Sequence, residues 1–262
     1  MPDPDDHDGG FAHDLPGLLN RRKLVAGLGL VGLLTHGFGA RAEAAGCLRE
    51  PDETSGPYPG DGTNAKSGQT VNALRQSGVL RGDMRASFNG MTGTAEGATL
   101  RLDMTLVSVA KSCAPVAGQA VYLWHANAIG QYSLYDLPDQ NYLRGVVVTD
   151  AAGRATITTI VPGCYAGRWP HIHFEVFAGL ASAVSGRKSL LTSQFALPGA
   201  VVADLYDADP RYPDSLVNFA QISLAQDNVF GDNTAEQIAR QTPRMTGDAA
   251  NGYTASVTVG LA

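Results

Sequence analysis

The sequence predicts an all-β fold: a β-sandwich of two antiparallel sheets with long loops and one or two short helices. Three observations point there. Runs of strict apolar–polar alternation recur along the chain, as in "ATLRLDMTLVSV". Glycine and proline, 31 and 14 of 262 residues, divide the chain into short stretches joined by turns. Only "DNTAEQIARQ", residues 232–241, reads as a convincing short helix. Many short strands with almost no helix indicate two packed sheets.

Residues 1–46 are expected to be a targeting segment. "NRRKLVAGLGLVGLL" sets Arg21, Arg22 and Lys23 before a short apolar run, and "GARAEAAG" follows with small residues. The adjacent arginines resemble a twin-arginine signal, which implies export of a folded protein to the periplasm or beyond; an ordinary secretory signal is the alternative. The run is short, rich in glycine and interrupted at Thr35 and His36. No integral membrane span is therefore expected in the mature chain. With 44 % apolar and 17 % charged residues the chain as a whole has a globular balance, and its net charge of -6 argues against nucleic acid as a partner.

Residues 47–96 form the next expected unit, an extended arm, because "CLREPDETSGPYPGDGTNAKSGQT" is polar and turn-rich with little periodicity. Residues 97–262 form the expected sandwich domain. Its first strand places Leu100, Leu102, Met104 and Leu106 on one face and Arg101, Asp103 and Thr105 on the other. "GQAVYLWHAN" and "RATITTIV" are the next strands, with "TDAAG" a tight connection in which Asp150 bonds its own backbone. "HIHFEVF" alternates again, Ile172, Phe174 and Val176 against His171, His173 and Glu175, and "GYTASVTVGL" is the closing strand.

The chemistry is concentrated in "PGCYAGRWPHIHF", residues 162–174. On a strand, residues i and i+2 share a face with Cβ atoms about 7 Å apart, so His171 and His173 can bind one metal as neighbouring ligands. A polar sheet face is the plain alternative for any H-x-H. Tyr165 lies in a glycine-flanked turn from which a phenol can reach the same point, and Arg168 precedes His171 by three residues. Taken singly, these are equally a surface-turn tyrosine and a solvated cation. Pro170 is tolerated as the first residue of a strand.

Together with "GQAVYLWHANAIGQYSLYD", "NYLRGVVVTDAAGRATITTIVPGCYAGRWPHIHF" and "LLTSQF", this stretch resembles the intradiol ring-cleavage dioxygenases, and in particular their secreted, single-domain members. The resemblance covers roughly residues 115–215, with an echo in "ETSGPYPGD". It implies a non-haem Fe(III) site whose ligands are Tyr132, Tyr165, His171 and His173. It also implies Arg168 beside the metal, Gln194 in the pocket, and an activity that opens a small aromatic diol of the catechol type with O2 to a muconate-type diacid. Tyr165, Arg168 and Gln194 would carry the catalytic roles. Tyr58 would approach the pocket rim or simply pack in the arm. Cys164 stands where relatives carry a bulky aromatic, so a small thiol would open the pocket wall. Hard, anionic phenolates suit a ferric ion, and two of them cancel most of its charge, so a partly dry site can hold it. The alternative is a non-enzymatic sandwich module that binds aromatic compounds.

In an oxidising compartment three cysteines suggest one disulfide and one free thiol. Cys47 with Cys113 is the expected pair because Cys164 lies in the candidate site; a lipid anchor at Cys47, in "EAAGC", is the rival. His125 is expected to be structural. Tyr135 and Tyr142 flank the site loop and either shape the pocket or pack.

Overall fold

The computed structural model describes residues 47–66 and 68–262. The expected targeting segment lies outside them. Among the described residues no helix is long and apolar enough to cross a membrane.

The arm is held at its start by a Cys47–Cys113 disulfide, whose Cα atoms are 5.3 Å apart and whose loop spans 66 residues of sequence. It continues through a small antiparallel hairpin, β1 (Asp61–Lys66) with β2 (Gln69–Asn72). Beyond the hairpin, Ala73, Leu74, Val79 and Met84 are buried. The arm is therefore less extended and more deeply packed than its composition suggests.

The first large sheet is built on β3 (Thr99–Ser108), which pairs along one edge with β11 (Gly252–Leu261). Its other pairings are with β4 (Ala114–Pro115) and β7 (Arg154–Ile160), and β10 (Arg244–Asp248) extends the sheet beyond β11. The β3–β11 pair is parallel, so this sheet is mixed rather than wholly antiparallel. The closing strand arrives after a long crossover, and only short connections force neighbouring strands to run antiparallel.

The second sheet is antiparallel throughout, in the order β6 (Arg144–Val148), β5 (Ala120–Trp124), β8 (His171–Phe177), β9 (Leu191–Ala196). Among the described residues four α-helices lie in the connections: α1 (Leu180–Val184), α2 (Gly199–Ala208), α3 (Ser215–Phe219) and α4 (Ala235–Gln241). Only α4 is the helix expected from sequence. Thr234 and Gln237 close a reciprocal capping box at its start. The longer α2 buries Val202, Leu205 and Tyr206, an i, i+3, i+4 stripe.

The main core lies between the sheets. Leu100, Leu102, Met104 and Leu106 of β3 meet Val121 and Leu123 of β5 and Ile172, Phe174 and Val176 of β8. Phe174 stacks on Phe195 of β9 at 4.2 Å between ring centroids. A second cluster covers the opposite face of the same sheet. Tyr122, Trp124, Tyr132, Tyr135 and Val146 pack there against Leu74 and Val79, which follow the arm's hairpin. All seven residues of β8 are buried as a result. The histidine face of β8 is thus roofed rather than solvated.

Candidate metal centre

Alternation on β8 sends His171 and His173 to the roofed face, and their Nε2 atoms are 3.0 Å apart. Tyr132 arrives from the loop after β5 and Tyr165 from the turn before β8. Tyr132 Oη lies 3.2 Å from Tyr165 Oη, 3.4 Å from His171 Nε2 and 3.2 Å from His173 Nε2. Tyr165 Oη lies 3.4 Å from His171 Nε2. Gly130 allows the two tyrosine loops to meet: a Cβ there would fall 2.8 Å from Tyr165 Cβ, and its φ of +79° suits glycine.

These donors suit a metal ion. Five of the pairwise separations among these four atoms are 3.0–3.4 Å, the spacing expected of neighbouring ligands that each lie about 2 Å from a shared first-row metal. His171 Nδ1 is 2.5 Å from the Trp169 carbonyl, which fixes the proton on Nδ1 and turns the Nε2 lone pair inward. His173 lies flat on Trp124, with centroids 4.9 Å apart and an 8° angle, and its Nδ1 is buried without a partner. Among the described residues no three His, Cys, Asp or Glu side chains gather as a metal site, so the phenols are what complete this set.

Electrostatics fit the same reading. Burial pushes the Tyr132 phenol well above its usual range, reinforced by the Tyr165 hydroxyl beside it. Burial also raises Tyr165, opposed by its bond to Tyr132 and by Arg168. Both imidazoles are driven down, first by burial and then by Arg168 at His171 and by His171 at His173. Neutral phenols and imidazoles are the consistent state without a cation; a bound metal charge inverts that preference for the phenols. Glu175, next on the same face, is pushed up to about 7 by burial and then by Asp61.

Arg168 reaches the cluster from one side, with Nη1 3.4 Å from His171 Nε2. Its Nη2 donates to Gln194 Oε1 at 2.7 Å and its Nε to Asp227 at 2.9 Å. Gln194 faces His173 across the β8–β9 pair, and its amide donates to the Thr54 carbonyl of the arm at 2.8 Å. Both ends of Gln194 are engaged, so it orients Arg168. Asp227 also accepts from the backbone N–H groups of Trp169, Val229 and Phe230. Burial would raise its carboxyl, but the Arg168 bond and charge prevail and hold it low. No sequence motif marks Asp227.

The remaining expected residues fall as follows. Tyr58 leans on Tyr132 and Tyr135, at 5.1 and 4.9 Å between centroids. Gly56 of the arm is close enough to His173 that a Cβ would sit 3.3 Å from its ring. Cys164 belongs to the main core, its backbone N–H bonded to Ser215 and its thiol near the Arg168 carbonyl. Burial pushes that thiol up to about 12. His125 bonds the Ala126 carbonyl and the Thr159 hydroxyl and stays outside the cluster. The Tyr142 hydroxyl accepts from Asn127, and Asp150 accepts from Ala152 and Arg154 within its own turn.

A β-sandwich with two phenols and two imidazoles converging on one point under an N-terminal arm defines a class of candidate metalloprotein. Comparisons with known proteins narrow the class. The family model Dioxygenase_C, described as dioxygenase, matches residues 83–204. The chain is 38 % identical over 98 residues to the protocatechuate 3,4-dioxygenase beta chain of Burkholderia cepacia, a match covering 32 % of this chain and 39 % of that one. It is 37 % identical over 107 residues to catechol 1,2-dioxygenase 1 of Acinetobacter lwoffii, covering 32 % of each. The matches thus span about a third of the length of these relatives. In fold it resembles an intradiol ring-cleavage dioxygenase from Tetranychus urticae, with a TM-score of 0.62 at 19 % identity over 82 % of this chain and 95 % of that one. These matches point to the intradiol ring-cleavage dioxygenases as the family that this chain resembles.

Proposed function

We propose that this protein is an exported non-haem Fe(III) dioxygenase that cleaves catechol-type rings between the two hydroxyl-bearing carbons, consuming O2 and yielding muconate-type diacids. The observation that carries the reading is the convergence of the Tyr132, Tyr165, His171 and His173 donor atoms, each within 3.0–3.4 Å of at least two of the others. When bound, the ferric ion would supply Lewis acidity and a template for a chelating catechol and dioxygen.

The chain's own groups divide the remaining work. Tyr132, His171 and His173 are fully buried and would hold fixed positions, whereas Tyr165 is only partly buried. Tyr165 is therefore the ligand free to swing away and take a substrate proton on its Oη. Arg168 keeps Nη1 turned toward the cluster while Asp227 and Gln194 hold its other nitrogens. That fixed donor faces the oxygen on which negative charge grows during ring opening, an oxyanion-hole role. Trp124 and Tyr58 keep water from two sides of the centre.

Reconstitution with ferric iron tests this. Tyrosinate ligation gives the protein a visible charge-transfer colour, and oxygen uptake with a panel of catechols reports turnover. A protein that holds iron yet stays colourless contradicts the ligand set; a coloured protein that consumes no oxygen with any catechol supports the binding-module alternative.

Export rests on Arg21 and Arg22 before the apolar run and is compatible with the Cys47–Cys113 disulfide, a bond that persists in oxidising compartments. Replacing both arginines with lysine should leave the protein in the cytoplasm. Unchanged export would point to the ordinary secretory route.

A further inference from the structure

Arg144 begins β6 and is 1 % exposed. Among the described residues no carboxylate lies within ion-pair distance of it. A guanidinium withdrawn from water without a counter-ion is tolerated only where its N–H groups all find acceptors. Here Nε donates to Ser133 Oγ at 3.1 Å. Nη1 donates to the Pro59 carbonyl at 2.7 Å and to the Tyr122 hydroxyl at 3.2 Å. Nη2 donates to the carbonyls of Tyr58 and Ser133, each at 3.0 Å. The guanidinium also lies over the Tyr135 ring, 5.4 Å from its centroid.

Four of the five acceptors come from two segments that meet at the candidate centre, and the fifth, the Tyr122 hydroxyl, stands on β5. Tyr58 and Pro59 belong to the arm, and Ser133 directly follows Tyr132. Gly60 extends the contact, since a Cβ there would fall 2.8 Å from Nη1 at a φ of +62°. The proposed chemistry makes no use of Arg144.

We propose that Arg144 is a positioning residue that clamps the N-terminal arm to the Tyr132 loop and thereby fixes Tyr58 as the arm-side wall of the site. The clamp deepens the reading of the site as a catechol dioxygenase, and rests on it for the substrate that this wall would meet. Planar geometry is essential: five donors in one fork reach five acceptors on the arm, the Tyr132 loop and β5, which the three donors of a lysine ammonium cannot do.

Two variants separate the clamp from general stability. Arg144→Lys keeps the charge and loses the fork; Gly60→Ala leaves Arg144 intact and pushes the arm off it. In the metal-free full chain, amide exchange within residues 56–60, where Gly56, Tyr58 and residue 60 carry the N–H groups, should accelerate roughly tenfold in either variant, with β8 unchanged. In iron-loaded protein, KM for a catechol should rise roughly tenfold while kcat changes far less. Wild-type exchange at residues 56–60 in a folded variant overturns the proposal, as does acceleration spread evenly over the molecule. Should Arg144→Lys fail to fold, Gly60→Ala decides. If the wild-type protein neither binds iron nor consumes oxygen, the enzymatic reading falls, and the exchange measurement still decides the clamp.

Discussion

The two faces of β8 are separated by the width of one strand, yet they are built on different principles. Ile172, Phe174 and Val176 enter a core of interchangeable apolar contacts, where shape and volume matter and no single atom has a required partner. His171, His173 and Glu175 enter a roofed polar layer in which atoms are assigned to specific partners: a carbonyl at His171 Nδ1, a Trp124 face at His173, a Thr192 hydroxyl at Glu175. Changes on the first face should be read in stability, and changes on the second in metal binding and chemistry.

The sharpest break of that contrast is His173→Ala. It removes one of four donors and should abolish stoichiometric iron binding, measured by metal analysis of reconstituted protein, while the metal-free chain stays folded. Phe174→Ala, one residue away, should do the reverse. Losing a buried phenylalanine that stacks on Phe195 should lower stability by about 3–5 kcal/mol in denaturant titration, and the protein that remains folded should still bind iron. A large loss of iron in Phe174→Ala at temperatures where it is folded would show that the faces are coupled.

Asp227→Asn sharpens the comparison within the polar face. It keeps the shape but removes the charge that holds Arg168, so kcat/KM should fall roughly a hundredfold with iron content unchanged. A variant with full activity would show that Gln194 alone suffices to aim Arg168.

The smallest expected effect concerns Glu50 of the arm, whose two carboxylate oxygens are buried without partners. Burial pushes it from 4.5 up to about 8, with Arg240 opposing and Glu53 adding to the rise. A group with a raised folded pKa contributes full stability below its unfolded pKa and loses it as pH rises toward the folded one. Stability should therefore decline from about pH 4.5 to about pH 8, and Glu50→Gln should flatten that slope in urea midpoints. An unchanged slope would assign it to other groups.

Much of this architecture could be read from residue pattern. Period-two alternation marked β3 and β8, and an i, i+2 pair of histidines must share a face whatever the surrounding fold. α4 lies within the stretch expected to be helical, and the Thr234–Gln237 box that starts it is a local interaction. α2 was missed although Val202, Leu205 and Tyr206 have helical spacing, because Val201–Val202 also suits a strand and the docking surface that resolves the choice is supplied by the core. Asp227 and Arg144 left no trace in the sequence. Their partners lie 59 and up to 86 residues away along the chain, and a lone aspartate or arginine has no local signature. The arm misled for a related reason: a polar, turn-rich segment reads as exposed until a surface for it to cover is known.

What the sequence determined by itself was the strand pattern, the turn positions and the chemical types brought to one face of β8, since these follow from backbone periodicity and side-chain chemistry within a few residues. Only the tertiary structure decided that this face is roofed by the arm, that Tyr132 and Tyr165 arrive at the same point, and that Arg168 and Arg144 are held by distant partners. Convergence of segments remote in sequence depends on how two sheets and their crossovers pack together, and no local rule contains that information.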